Sequence, residues 1–348
     1  MTVNVSKPAL NVREKLAELD KPTGIAGEAM LRAETVADQF DLIGASRTNL
    51  LINGNFDIAQ RGTSKTGGFG SSVKYLLDRW ATYRGAYEAN MTVSQQAITD
   101  LEGSRYCIRV ARSSGNTSTA TINLVQQIEE RTCIPLQGKQ ITASLYLRVG
   151  TDYTDGDIEV NLFTTTGGDL STAGNSSGTL SNNTVTVMPT TSWQKVVVTR
   201  TVPSDAESIS LTVRYGSPSG TAGSNDYFEV AQAQVVVGNY PDGLPFLHRS
   251  YGEELALCQR YYYREDTSSH FLRSFYAAST GDLYEDYPLP VVMRATPTWT
   301  SQLGSDISKV NAVSISGRTK KSGYVIFTIS STGEGYCSLN TVTADAEL

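Results

Sequence analysis

The sequence predicts a mainly β protein that begins with an α-helical segment. Hydrophobic residues make up only 39% of the 348 residues and charged residues 18%, while Thr, Ser, Gly, Asn and Tyr are abundant. Such a composition is typical of β proteins with many turns. After residue 48 the apolar residues alternate with a period of two, as in strands, whereas before it they fall at helical spacing. We therefore divide the chain into a helical segment (1–48), a β-sandwich (49–249), a helix–strand connector (250–264) and a C-terminal β-domain (265–348).

The N-terminal segment is predicted to hold two amphipathic helices. Asn11 and Glu14 can form a capping arrangement at the start of the first helix. Neither helix has a core of its own, so its apolar stripe must be buried against something else. We expect self-association or docking onto a larger assembly, with packing onto the following domain as the alternative. The stripe residues are Val12, Leu16, Leu19, Met30, Ala33, Ala37 and Phe40.

The central region is predicted to be a sandwich of two antiparallel sheets. Along Gln140–Val149, Ile141, Leu145 and Leu147 would face one way while Tyr146 and the other polar residues face the other. Close to ten such strands with few helices favour this sandwich of two antiparallel sheets. The predicted strands include residues 50–53, 80–83, 106–110, 120–128, 140–149, 158–162, 184–187, 193–202, 209–215 and 227–237.

The connector SYGEELALCQRYYYR is predicted to be a short helix that leads into a strand. Ser250 can cap a helix whose third residue is Glu253, and Arg260 lies at its negative end. The tyrosine run that begins at Tyr261 favours a strand. We assign the connector role to Ser250, Glu253, Leu257, Cys258 and Tyr261.

The C-terminal region is predicted to be a second, smaller β-domain. At roughly 85 residues it is small for an independent fold, so oligomerisation would supply the missing core. Its predicted strands are 274–278, 281–286, 288–299, 310–316, 323–329 and 335–339.

Charge and cysteine content exclude several classes of function. A net charge of -6 and a pI near 5.1 argue against binding to a nucleic-acid backbone or to an anionic membrane surface. No stretch is long and apolar enough for a signal peptide or a membrane span, so we expect a soluble chain without membrane insertion, made in a cytoplasm. We expect four reduced and mostly buried thiols at Cys107, Cys133, Cys258 and Cys337, because no CxxC spacing is present.

Candidate catalytic and metal-binding residues do not form a convincing site. The string GNSSG at 174–178 fits GxSxG, but it lies in a low-complexity loop, and neither His248 nor His270 has a recognisable orienting context. Glu285 and Asp286 are adjacent on a strand, so they cannot face each other as a glycosidase pair would. An acidic turn lacks EF-hand spacing and is interpreted as a hairpin turn. Its residues are Asp152, Asp155 and Asp157.

Aromatic residues are the candidate recognition chemistry, because sugar rings stack their C–H faces on Tyr and Trp. The chain has 18 tyrosines and three tryptophans. Trp80 and Trp193 begin or end predicted strands and are interpreted as core residues. We select Tyr284, Tyr287 and Trp299 as candidates for an exposed binding surface, with packing at a subunit interface as the alternative.

Several ordered strings resemble known families. LLINGNFDI, YLLDRW, GKQITASLYLRV, TTSWQKVVVTRTVP and YFEVAQAQVVVG together resemble jelly-roll domains of the carbohydrate-binding-module type. GEELALCQRYY, preceded by PFLHR and followed by LPVVMRATPTWT and a terminal ADAEL, resembles bacteriophage tail fibre proteins. Carbohydrate-binding jelly rolls often hold a structural calcium ion, but no ligands can be assigned to one here, and no other cofactor is expected.

The tail fibre resemblance implies a homotrimeric, structural virion protein of the phage tail that is assembled in the host cytoplasm. Its N-terminus would dock on baseplate or adaptor proteins. Its distal part would act in receptor binding, as a host adhesion protein for a surface polysaccharide, without catalysis. Two alternatives remain. One is a glycan depolymerase of the tailspike kind, although no internal repeat of a β-helix is found. The other is a structural spacer or adaptor fibre that never contacts the host.

Overall fold

The computed structural model describes residues 48–67, 73–84, 91–154, 156–167, 179–216, 218–305, 307–317 and 319–347, together with Ala29 and Arg32. The chain divides into two compact units, Met1–Thr48 and Asn49–Leu348. The predicted stripe residues of the N-terminal helices all lie outside the described residues, so their role stays a prediction. These are Val12, Leu16, Leu19, Met30, Ala33, Ala37 and Phe40.

The first part of the unit Asn49–Leu348 is a sandwich of two six-stranded antiparallel sheets, which confirms the predicted fold class. One sheet has the strand order β1, β4, β5, β12, β7, β10, and the other β2, β3, β6, β11, β8, β9. The strands are β1 Ser64–Thr66, β2 Lys74–Tyr75, β3 Ala81–Arg84, β4 Met91–Ala97, β5 Tyr106–Arg112, β6 Ile122–Ile128, β7 Gln140–Val149, β8 Ile158–Thr165, β9 Leu180–Val187, β10 Gln194–Thr201, β11 Ser208–Tyr215 and β12 Tyr227–Val237.

The alternation along the strands decides which side chains form the core. In β7, Ile141, Leu145 and Leu147 are buried between the sheets, while Tyr146 on the other face is partly exposed. Strand β7 pairs with both β10 and β12 over nearly its whole length, so both of its backbone edges are hydrogen-bonded within the sheet. Burying such side chains stabilises the sandwich by roughly 1.5–3 kcal/mol each.

Two features of the sandwich differ from the prediction. Residues 50–53 form bends instead of a strand, because the Asn49 side chain bonds to the backbone of Leu51, Ala233 and Val235 and Asn53 has a positive φ of 58°. The strands β1, β2 and β4 were not predicted. In MTVSQQA of β4 only Met91 and Val93 of the inward positions are apolar, so its periodic signal is weak.

Short helices lie at the end of the sandwich and after it. Helix α1, Glu130–Cys133, continues into a 3-10 turn, Ile134–Leu136, which places Cys133 and Leu136 in the sandwich core. Helix α2, Tyr251–Gln259, is the predicted connector helix. No helix among the described residues is long and apolar enough to cross a membrane.

The C-terminal part is a second pair of antiparallel sheets, each with three strands. The orders are β13, β18, β15 and β14, β17, β16. Its separate core includes Val325, Phe327, Leu339 and Val342. Residues 289–297 form bends and irregular backbone instead of the predicted strand 288–299, because β14 ends at Pro288 and β15 begins only at Thr298. The strands are β13 Tyr262–Ala277, β14 Gly281–Pro288, β15 Thr298–Leu303, β16 Val310–Gly317, β17 Ser322–Ile329 and β18 Gly333–Asp345.

A buried arginine closes one end of the sandwich. Arg112 and Asp226 are both completely buried, and the Arg112 guanidinium donates to the Asp226 carboxylate over 2.7 Å and to the Thr154 hydroxyl over 2.7 Å. Tyr215 donates to the other carboxylate oxygen. The guanidinium also donates to the backbone carbonyls of Asn116, Ser118 and Gly220. This cage of oxygen atoms is filled by the protein's own cation.

We expect Arg112→Met to lower the free energy of unfolding by about 3–5 kcal/mol, because the Asp226 carboxylate would be left buried without a counter-charge. Urea unfolding followed by tryptophan fluorescence measures this. The matched control is Arg214→Met. Arg214 forms a surface ion pair with Glu159, and the two side chains are 43% and 35% exposed, so this pair should contribute less than about 1 kcal/mol. Equal losses in the two variants would contradict the assignment.

Candidate functional site

The connector helix α2 has the predicted cap. The Glu253 N–H donates to the Ser250 hydroxyl, and the Ser250 N–H donates to the Glu253 carboxylate over 3.1 Å, so the reciprocal capping box is present. Hydrogen bonds from the Ser250 side chain and backbone lower the pKa of Glu253. Leu257 is half-buried, and Cys258 and Tyr261 are buried. The connector is therefore held firmly at its start and packed along its second half.

A buried arginine joins the connector to both β regions. The Arg79 guanidinium donates to the Glu347 carboxylate over 2.5 Å and to the Gln127 carbonyl over 2.7 Å, and its carbon lies 3.6 Å from the centre of the Tyr261 ring. The Arg79 side chain is 1% exposed. We call this cluster, Arg79, Gln127, Tyr261 and Glu347, the joint.

Arg61 also links the sandwich to the connector and to the last residues of the chain. Arg61 forms an ion pair with Asp345 at 2.9 Å and lies 3.6 Å from the centre of the Tyr262 ring. Next to it, the Gln60 amide donates to the Asp78 carboxylate and to the Tyr262 carbonyl. The last residues of the chain are thus fixed against the sandwich by charge.

Ionisable groups near the connector are buried without catalytic partners. Burial raises the pKa of Asp78 to about 6, against an ordinary value of 3.8. Burial also raises the pKa of the Cys258 thiol well above its ordinary range, which opposes thiolate formation. All four cysteines are buried and free, so their predicted burial is confirmed.

The structure separates the three candidate aromatic residues. Tyr284 is 57% exposed on β14, as expected. Tyr287 is 4% exposed, because alternation turns it into the core, where its hydroxyl donates to Glu265. Trp299 is partly buried and packs edge-on against Tyr287 with ring centres 5.9 Å apart. The expectation of an exposed surface is therefore wrong for Tyr287, and Trp299 is only partly exposed.

Two exposed tyrosines were missed by sequence reasoning. Tyr276 on β13 is 75% exposed and Tyr336 on β18 is 46% exposed. Tyr276 pairs with Glu334 and Ser274 pairs with Tyr336, so the two rings occupy diagonal positions on one face of the sheet. The inward position of Phe275 was a usable signal, because it places its neighbour Tyr276 outside. Tyr276, Tyr336 and Tyr284 are called the tip tyrosines below.

The outer face of the second sandwich sheet carries polar side chains that are almost completely buried. Thr212 on β11 pairs with Asn161 on β8, and both point away from the core residues Leu211 and Leu162. Thr212 is 1% exposed and Asn161 2%. Among the described residues, the Thr212 hydroxyl, the Asn161 amide nitrogen and the Gln127 amide oxygen are buried without a hydrogen-bond partner.

The other tryptophans do not offer a free ring face. Trp80 is 1% exposed and donates from its indole nitrogen to the Asn53 carbonyl. Trp193 is partly buried, with the Arg148 guanidinium 4.3 Å from its ring centre and Asp100 bound to its nitrogen. Core packing was predicted for both, and for Trp193 it is only partial.

One pocket brings two carboxyl groups together without the geometry of a glycosidase. Asp57 and Glu254 line it together with His248, but its volume is about 80 Å³, well below the several hundred Å³ of a ligand pocket. Burial raises the pKa of Asp57, and Glu254 is paired with Arg249. The described residues contain no group of three or more His, Cys, Asp or Glu that could hold a metal ion. Both the GNSSG string and Asp155 lie outside the described residues.

Comparisons with known proteins give only distant likenesses. No protein-family model matches the chain, and no curated protein matches it. The enzymatically active domain of tailspike protein 4 of bacteriophage CBA120 is 12% identical with a TM-score of 0.33, over 46% of this chain and 19% of that one. TmCBM61 in complex with beta-1,4-galactotriose is 13% identical with a TM-score of 0.33, over 55% of this chain and 99% of that one. A CBM4 structure is 18% identical with a TM-score of 0.32, over 53% of this chain and 98% of that one. At these TM-scores the likenesses decide nothing about the function of this chain.

We expect the stability of the wild-type protein relative to Asp78→Asn to fall as pH rises from 4 to 7. The folded pKa of Asp78 is raised, so its contribution is fully present below 3.8 and is lost as pH rises through about 6. A rise of this size corresponds to roughly 3 kcal/mol. Urea unfolding of both proteins at several pH values measures it. A difference that stays constant with pH would contradict the assignment.

Proposed function

We propose that this chain is a non-catalytic adhesion protein of a bacteriophage tail. Its N-terminal segment attaches it to baseplate or adaptor proteins, and its C-terminal β-domain binds a polysaccharide of the host surface. In this proposal it belongs to the virion and is assembled in the host cytoplasm. The resemblance of GEELALCQRYY and ADAEL to tail fibres supports the attachment to a tail, and the exposed tyrosines support placing saccharide binding on the C-terminal β-domain.

The observation that favours distal binding is where exposed aromatic area lies. Among the described residues, the exposed tyrosines are Tyr251, Tyr276, Tyr284 and Tyr336, and all except Tyr251 lie on outward faces of the C-terminal sheets. Tyrosine offers flat apolar area for the C–H face of a sugar together with a hydroxyl that reaches water. Glu334 and Asp286 add hydrogen-bond acceptors on the same outward faces.

Weak single contacts suffice if the protein is the proposed homotrimer. Three copies per fibre, and several fibres per particle, convert later contacts into intramolecular ones and raise avidity without a tight single site. A depolymerase would instead need a cleft with two facing carboxyl groups. A structural spacer would need neither exposed aromatic residues nor a catalytic cleft.

We expect Tyr276→Ala, Tyr284→Ala and Tyr336→Ala each to weaken binding of the full chain to host cells by about 5- to 30-fold, the effect of losing an interface aromatic worth about 1–2 kcal/mol. Competition with phage adsorption measures it. Tyr251→Ala is the matched control, because Tyr251 is 64% exposed but lies on the connector helix.

Two outcomes would overturn this proposal. If all three variants compete as well as the control, the distal surface is not the binding element. If the purified chain releases oligosaccharides from host polysaccharide, the protein is a depolymerase and not an adhesion protein alone.

A further inference from the structure

An open cleft lies between the sandwich and the C-terminal β-domain. Its volume is about 790 Å³, and one wall comes from helix α1 and the 3-10 turn after it. The other wall comes from residues 292–295 and Lys320. Any ligand in this cleft would touch both β regions at once.

The floor of the cleft is an ion-paired carboxylate. Glu129 is 5% exposed and lies 2.9 Å from the Arg260 guanidinium and 3.2 Å from that of Arg294. Arg260 ends the connector helix, and the Arg294 N–H donates to its carbonyl. The floor is therefore rigid, and the Glu129 charge is already compensated by two cations.

Positive charge dominates the cleft. Its described lining has four basic and two acidic side chains, in a chain whose net charge is -6. Arg131 on the sandwich wall is exposed and has no carboxylate partner among the described residues. Lys320 on the opposite wall is exposed and donates to the Arg294 carbonyl over 2.9 Å, which keeps its ammonium group at the cleft. The two cations suit an anionic group placed between the walls.

Apolar walls and size narrow the class of ligand. Ile134 is 46% exposed and Val292 56%, one on each wall. A cleft of about 790 Å³ lies within the range of small-molecule pockets, which is roughly 300–1,000 Å³. The ligand is thus small, with apolar faces and negative charge.

We propose that this cleft binds a saccharide that carries carboxylate groups, such as a uronate or a sialate residue of an acidic polysaccharide. This inference rests on the proposed adhesion function and adds a site away from the tip tyrosines. The carboxylate lies between Arg131 and Lys320, the C–H faces of the ring contact Ile134 and Val292, and Glu130 accepts from ring hydroxyl groups.

The test is isothermal titration of the full chain with a panel of uronate and sialate trisaccharides, each compared with its methyl ester. The ester keeps the shape of the sugar and removes its charge. At least one acid should bind, and its ester should bind at least about tenfold more weakly. The double variant Arg131→Glu with Lys320→Glu should weaken binding of the acidic saccharide by a similar factor. Salt at 0.5 M should also weaken binding of the acid to the wild-type chain, since exposed charges are screened.

The matched control is Lys139→Glu with Lys321→Glu, which makes the same charge change at two exposed lysines that follow Arg131 and Lys320 in the sequence and do not line the cleft. The inference is overturned if no acid in the panel binds, if the esters bind equally well, or if both double variants lose the same affinity. Host-cell adsorption by the cleft variants separates the two proposals. If adsorption depends on the tip tyrosines but not on the cleft residues, the proposed adhesion function holds and the proposed cleft site is wrong.

Discussion

The buried guanidinium of Arg79 is the contact on which the C-terminal half of the unit depends. A charge this deeply buried is tolerated only when paired and hydrogen-bonded, so its surroundings must stay fixed. Arg79 takes its partners from three distant stretches of chain: Gln127 in the sandwich, the Tyr261 ring after the connector helix, and Glu347 near the end. One side chain thereby sets the position of the connector and of the last strand against the sandwich.

The strings that resemble tail fibres and jelly rolls meet at this joint. YLLDRW contains Arg79, GEELALCQRYY contains Tyr261, and ADAEL contains Glu347. LLINGNFDI contributes Asn53, whose N–H donates to Glu254 of the connector helix. The recognisable strings therefore encode the way two β regions are joined. The exposed Tyr276 belongs to none of them, so a surface that contacts a ligand can change without disturbing the joint.

Features set by residues close together in the sequence could be predicted, and features set by residues far apart in the sequence could not. The capping box of Ser250 and Glu253 spans three residues, and strands such as Gln140–Val149 follow a period of two, so both are visible locally. The pairing of Arg79 with Glu347 spans 268 positions and leaves no local signal. The exposed surface was predicted correctly at Tyr284 and wrongly at Tyr287, because the predicted strand 281–286 ended before Tyr287, whereas β14 continues to Pro288. The segment is a strand, in which residues three apart face opposite sides.

A rigid joint also affects how a multivalent adhesion protein would work. If a flexible linker joined the C-terminal domain to the sandwich, each new contact with a surface would have to order that linker, at a cost in conformational entropy. Here Arg61 and Arg79 bind Asp345 and Glu347 directly, so the exposed faces keep a fixed relation to the sandwich before any ligand arrives. In the proposed homotrimer, the C-terminal domains of the other two copies would already be oriented when the first copy makes contact. The gain from effective concentration would then not be reduced by the entropy cost of ordering the chain.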